Sequence, residues 1–323
     1  MKTSYQAMPG SSNAPSGRAS SVLMGRQDYI SSVLRLTGME LYKIRRRLMS
    51  KVLAFISIIS TVSLFGLLAL AAFLMTKNGI PTEDIRRFSE SLRLPESLFL
   101  VVQLLQTLGL VLIIILVSTI VGGEYADKTM RLMLTRGPTR TQLLLSKVGA
   151  ALSCVVLVVV GITLPGILSG YIFNFAIGIS PTFEFFSASW FGHAFLYILI
   201  TMLGLFTYAM MALFLSTLGR ATAAGLAGVL TWSFLIEPAI SVIGGLFARN
   251  IGGPPGNFFQ ALPDYLIGPN INVLVQNQSQ YLVSTGAQVS QQSDIHAMLV
   301  LAVYIVMFIG IALWVNMRRD VLI

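Results

Sequence analysis

Glu237 stands inside a long apolar run, immediately before Pro238, and is the chain's one clearly intramembrane acid. A carboxylate there is costly, so its presence points to function. It could face a polar translocation path, take a proton, or pair with a group on a neighbouring helix. It could equally sit near the external interface if the helix ends early at Pro238, and these readings stay open. Other chemistry is missing. No G-x-x-x-x-G-K-[ST] phosphate loop occurs, so the chain does not bind ATP by that route. No H-E-x-x-H or paired-histidine pattern exists. The single cysteine, Cys154, permits neither an intrachain disulfide nor a metal site of its own. Ser169 sits in Gly-Ile-Leu-Ser-Gly, which is not the G-x-S-x-G elbow. With His193 and His296 it reads as a packing serine and two histidines near span ends, not a catalytic pair. No catalytic residue, metal or bound cofactor is expected in this chain.

The second constellation is ionic. The stretch from Gly122 to Lys147 carries Lys128, Arg131, Arg136, Arg140 and Lys147 against Glu124 and Asp127, between two long apolar runs. A basic loop between two membrane spans lies on the cytoplasmic side. Gly137-Pro138 divides it into two helical segments, because proline cannot continue the first. Thr139 then reads as an N-cap, with Gln142 completing a capping box. A rigid helix held under a membrane suits a transporter that receives force from a soluble motor. The plainer alternative is that these arginines only meet lipid phosphates.

The elements that must position these groups follow from composition. Hydrophobic residues make up 55% and charged residues 11% of 323 residues, whereas a soluble domain has about 25% charged. Six apolar runs are long enough to cross the hydrocarbon core as helices: about 52–75, 98–121, 148–173, 191–218, 221–247 and 297–315. Nothing shows the short alternating segments of a barrel, and backbone groups in lipid must be satisfied within the segment, so the fold is all-α and polytopic. Lys2, Arg18, Arg26, Arg35, Lys43, Arg45, Arg46, Arg47 and Lys51 precede the first span, against Asp28 and Glu40. Arg220 lies between spans four and five, and Arg318 and Arg319 follow the sixth. With the 122–147 loop they give both termini a cytoplasmic place in a cell membrane, the plasma membrane of a prokaryote. The net charge of +9 is then a topology signal and a contact for lipid headgroups. No basic face interleaved with aromatics appears, so nucleic acid is not a partner.

Residues 1–30 are rich in Ser, Gly and Pro, have no signal-peptide core, and are expected to be disordered. Residues 31–51 form an amphipathic helix, opened by a capping box at Thr37-Gly-Met-Glu40 and lying in the headgroup plane; the alternative is an ordinary basic flank. The six-span domain covers 52–317, and 318–323 form the C-terminus. The external segment 248–296 starts too apolar for a free loop and too broken for a span, which predicts short re-entrant or interfacial helices. Asn277-Gln-Ser279 matches a glycosylation sequon, a weak signal. Gly166-x-x-x-Gly170 after Pro165, and Ala221, Ala224, Gly225 and Gly228, are small-residue faces for close packing, within one protomer or across a dimer.

At this point the chain resembles type-2 ABC exporter permeases. Glu40-Leu-Tyr-Lys43 with Arg45, Arg46 and Arg47 is similar to the helix that precedes their first span. Glu124, then Lys128-Thr-Met-Arg131-Leu-Met-Leu-Thr-Arg136, Pro138-Thr-Arg140 and Lys147, is similar to that family's loop between spans two and three. Lys128 stands where the family often has glycine. Arg318-Arg319-Asp320 also resembles the family's C-terminus. The resemblance implies a permease with no catalytic activity, paired as two copies with two copies of a separate ABC ATPase subunit that binds ATP and Mg. It implies a coupling helix from Glu124 to about Arg136, with Glu124, Tyr125, Lys128, Thr129, Arg131, Arg136 and Arg140 as its contact residues. Glu124 is expected near that helix's start, favourably placed for the dipole, or paired with a base on the preceding helix. A different class remains beside it: a secondary or ion-coupled transporter that uses Glu237 and needs no ATPase.

Overall fold

The computed structural model describes residues 20–78, 96–126, 139–176, 187–250, 253–282, 290 and 292–318. Every regular element among them is helical. In chain order these are α1 (Ser20–Arg46), α2 (Leu48–Lys77), α3 (Glu96–Leu104), a π-turn (Leu105–Gly109), α4 (Leu110–Ala126), α5 (Arg140–Ala176) and α6 (Ala188–Gly219). There follow α7 (Thr222–Thr231), a second π-turn (Trp232–Ile236), α8 (Glu237–Asn250), α9 (Pro254–Ala261), a 3-10 turn (Leu262–Tyr265), α10 (Ile267–Ser279) and α11 (Asp294–Arg318). Six helical stretches are long and apolar enough to cross a membrane: Leu48–Met75, Glu96–Tyr125, Arg140–Phe173, Ala188–Gly219, Thr222–Phe247 and Asp294–Arg318. The chain is a multi-pass membrane protein.

Spans two and four form the centre of the bundle and are its most buried members. Span two packs on spans four and five, span six on span four, and span one on span three. Their contacts are set by small residues. A Cβ on Gly122 would lie 2.2 Å from the backbone nitrogen of Thr222, so spans two and five touch backbone to backbone. A Cβ on Gly225 would strike Ser216 and Ser118, and one on Gly166 would lie 2.5 Å from Val101. Both small-residue faces therefore serve packing within the protomer. Large apolar side chains such as Phe55, Leu67, Leu164, Leu235 and Val306 point outward, as residues bathed in acyl chains do.

Three local expectations change. Thr37 does not open a helix: α1 runs unbroken from Ser20, within the stretch expected to be disordered, and continues past Thr37. The Thr37 hydroxyl turns back to the Val33 carbonyl at 2.9 Å and faces the Ser146 carbonyl at 3.4 Å, because α1 packs along the start of α5. Glu124 lies well inside α4, which begins at Leu110, and not in the first turn of a new helix. Asn277 is buried and bonded to Asp294 at 2.7 Å, with its own carbonyl accepting from the Ser290 amide, so it is no accessible sequon. The Thr139 capping box is present in both directions. The Thr139 amide donates to Gln142 Oε1 at 3.0 Å, and the Gln142 amide to Thr139 Oγ1 at 3.3 Å.

The segment between spans five and six dips into the bundle. Glu237 lies about 22 Å along its helix from Thr222, and Tyr208 about 16 Å from Gly219 at the same end, by the 1.5 Å rise per residue. Both distances are shorter than a hydrocarbon core about 30 Å thick, so both residues lie at membrane depth. The first turn of α10 meets them there. From that depth α10 climbs along α6 and α11, until Tyr281 stacks on His193 at 4.3 Å. This is a re-entrant segment, buried in protein as non-spanning backbone at membrane depth must be.

Candidate functional site

Two charged centres are built into the bundle. The first joins α1 to the ends of spans two and three. Glu124, buried at 3% side-chain exposure, accepts from Lys147 Nζ on one oxygen at 2.5 Å and from Lys43 Nζ on the other at 3.0 Å. Lys147 is fully buried and also donates to the Ile120 carbonyl at 3.2 Å. Lys43 bridges onward to Glu40 at 2.9 Å. A chain of alternating charge, Glu40–Lys43–Glu124–Lys147, thus crosses three helices. Burial pulls the Lys43 ammonium down, but its bonds to Glu40 and the charge of Glu124 outweigh that and hold its pKa above the ordinary lysine value.

Neutral contacts extend this clamp. Arg47 donates to the Thr119 carbonyl at 3.2 Å and lies against Gly123. Tyr29 reaches Thr141 at 3.3 Å. Arg140 donates to the Asn316 carbonyl at 3.3 Å, and Asn316 Nδ2 returns a bond to the Arg140 carbonyl at 3.2 Å, tying span three to span six. Tyr125 packs against the apolar core. Arg45 and Arg46 are exposed; Arg46 lies over the Tyr42 ring at 5.1 Å, and both line a cleft with Lys51. Lys128, Thr129, Arg131 and Arg136 lie outside the described residues.

The second centre surrounds Glu237. Its Oε2 accepts from Tyr208 Oη at 2.7 Å and the Gly268 amide at 3.0 Å. Its Oε1 accepts from Trp232 Nε1 at 2.6 Å and the Ile267 amide at 3.2 Å. Three of these four partners can only donate, so the Glu237 carboxyl group accepts from each of them. The two amides belong to the first turn of α10, whose own N-cap residue Leu266 offers no side-chain bond. Glu237 therefore caps α10 from another helix and supplies the negative charge its N-terminus favours. Glu237 thus pairs with groups on neighbouring elements, one of the readings its sequence left open. Sequence reasoning found Glu237 but not its partners, Tyr208, Trp232 and Gly268. None of the three carried a sequence signal; the need for glycine at 268 shows only in the structure, where a Cβ would lie 2.5 Å from Glu237 Oε2.

Glu237 also borders a cavity of about 390 Å³ between spans two, four and five and α10. The histidines are engaged elsewhere. His193 stacks on Tyr281, and His296 Nε2 lies 3.0 Å from the Asp264 carbonyl.

The chain belongs to the family described as Protein of unknown function (DUF2705), which residues 65–322 match. The match takes in Glu124, Lys147 and Glu237 and begins beyond α1. No curated protein matches the chain.

Proposed function

We propose that this DUF2705 member is the permease subunit of an ATP-driven exporter of the type-2 ABC class, acting as a pair of copies with two ATPase subunits that bind ATP and Mg. The observation that carries the reading is the Glu40–Lys43–Glu124–Lys147 chain. The 122–147 loop joins spans two and three, and both of its roots are fixed to α1 by buried charge. A push on that loop is therefore delivered to three helices together. The Thr139 capping box and the Arg140–Asn316 pair stiffen the loop's second root and pass the load to span six. In this reading the loop lies in the cytoplasm of a prokaryotic cell with both termini, and forms the coupling helix. Arg131, Arg136 and Arg140 meet acidic groups or carbonyls of the ATPase through charge-assisted bonds. α1 is the interfacial elbow, with exposed Arg45 and Arg46 on lipid phosphates. The ion-coupled alternative is less favoured, because the bonding capacity of Glu237 is already taken by four protein donors.

The test is a pull-down of the tagged chain from its native membrane, with ATP hydrolysis assayed on wild type and on the Arg131→Ala/Arg136→Ala loop variant. The expected result is a co-purifying ATPase that is lost or uncoupled in the variant. A solitary chain, with no ATPase recovered after crosslinking in the membrane, sinks the proposal.

A further inference from the structure

The cavity beside Glu237 has an unusual wall. Two π-turns border it. Gln106 and Thr107 come from the one in span two, Ser233 and Phe234 from the one in span five. Such turns interrupt a helix at some cost and recur at functional sites. The serine and threonine hydroxyls on the wall have each spent their single proton on their own helix, and the Tyr208 hydroxyl has spent its proton on Glu237. Thr107 donates to the Gln103 carbonyl at 3.0 Å, Thr201 to Tyr197 at 2.9 Å, Ser233 to Val229 at 2.9 Å and Ser241 to Glu237 at 2.9 Å. Toward the cavity they therefore present lone pairs only. Gln106 and Asn272 add amides, which serve either polarity, and the Gln106 nitrogen is buried with no partner. The one formal charge on the wall is the Glu237 carboxylate. Among the described residues it makes no ion pair, and no Lys, Arg or His lines the cavity.

An acceptor-rich wall with a carboxylate that no cationic side chain pairs, held by neutral donors and the α10 N-terminus alone, attracts positive charge, and little screening weakens the attraction there. Size decides between an inorganic ion and an organic one. About 390 Å³ is drug-sized, whereas one water occupies about 30 Å³. Among the described residues no group of three or more His, Cys, Asp or Glu gathers to hold a metal ion. Leu110, Ile271 and Phe234 give the cavity apolar faces, and the half-exposed Phe234 ring offers a surface for a cation.

We infer that this cavity binds a hydrophobic organic cation, such as a lipophilic amine or onium ion. As a binding site it stands on the wall chemistry alone. As the class of exported cargo it rests on the permease reading. Glu237 then has two roles: its oxygens hold α10 in place, and its charge draws the ligand without a direct bond.

The test uses the full chain in lipid nanodiscs, without any ATPase, so that its failure and failure of the exporter reading are distinguishable. Tritiated tetraphenylphosphonium is the probe, and tetraphenylborate, of the same shape and opposite charge, is titrated separately. Saturable binding of the cation only is expected. Glu237→Gln should weaken it about tenfold or more, by loss of a charge in a poorly screened site. That variant can unseat α10, so Thr107→Lys is the second. It places an ammonium on the wall, leaves the Glu237 bonds intact, and should weaken the cation by at least as much. Three results overturn the proposal: no saturable binding of the cation, equal binding of tetraphenylborate, or T107K binding the cation like wild type. Displacement by low-millimolar Na+ also overturns it, in favour of an inorganic-ion site.

Discussion

Replacing Glu124 by leucine should be the most damaging single change in the charged chain, and the reason is asymmetric burial. Lys147 is fully buried and has Glu124 as its one ion-pair partner among the described residues. Glu124→Leu leaves that ammonium in the bundle with the Ile120 carbonyl. Stranding a buried charge costs about 3–5 kcal/mol. At about 2–4 °C per kcal/mol for a large domain, Tm should fall by roughly 6–20 °C. Lys147→Met should cost less, because Glu124 keeps Lys43 at 3.0 Å. Lys43→Met should cost least, about 1 kcal/mol or below, since Lys43 is one-third exposed and water screens the pair. The decisive variant is Glu124→Leu/Lys147→Met. It removes both deeply buried charges and should recover most of the loss, because apolar replacement of a buried pair is often neutral. The assay is thermal unfolding of fluorescently tagged protein in one detergent, followed by size-exclusion chromatography. If the double variant is no more stable than Glu124→Leu, or if Lys43→Met is the worst of the three, the burial argument is wrong. The double variant also separates stability from coupling: under the exporter reading it folds but no longer stimulates a partner's ATP hydrolysis.

Three further outcomes follow from the geometry. Because the folded pKa of Lys43 is raised above the ordinary lysine value of 10.5, its contribution is complete below about pH 10.5 and is lost as pH rises through the folded value. Alkaline unfolding should thus start earlier in wild type than in Lys43→Met, relative to each protein's stability at pH 8. Gly268→Ala should push the first turn of α10 off Glu237, since its Cβ would lie 2.5 Å from Oε2. An overpacking cost of about 1–3 kcal/mol is expected, with faster amide exchange over 267–279 as the readout and unchanged exchange as the refutation. Arg220, in the turn between α6 and α7, holds a left-handed backbone at φ 51°. Arg220→Gly should raise stability by about 1 kcal/mol; an unchanged or lower Tm argues that the arginine's contacts outweigh the strain.

What the sequence could disclose divides along a physical line. Membrane helices announce themselves because each satisfies its own backbone, so length and hydropathy suffice; the six spans differ from expectation mainly at their ends. Span three starts at Arg140 and not near Val148, because a capping box at Thr139 starts the helix ahead of the apolar run. Helix starts are less legible where tertiary contacts compete. Thr37-Gly-Met-Glu40 has the composition of a capping box, yet α1 already runs through it from Ser20: Thr37 bonds back to the Val33 carbonyl of its own helix and Glu40 pairs with Lys43 one turn on. The packing of α1 on α5, which the local composition does not encode, carries the helix past that point.

Pairing across the bundle was the least legible feature, and Glu237 shows why. A lone acid in an apolar run signals that something must satisfy it, but the satisfying groups lie on other segments and carry no common pattern. Tyr208 and Trp232 resemble any membrane aromatic, and the two amides have no side-chain signature at all. Yet the shortage of cations inside the spans already restricts the outcome. With Lys and Arg gathered at the ends, a carboxylate at membrane depth must be held by neutral donors, and the richest source of these is an uncapped helix N-terminus. Such a terminus at that depth requires a segment that enters and returns, which the glycine- and proline-broken stretch after Asn250 supplies. The re-entrant helix and the buried acid are one requirement seen from two sides. Neutral donors satisfy the hydrogen bonds of Glu237 but leave its charge without an ionic partner, and the cavity beside it is where a cation can supply one.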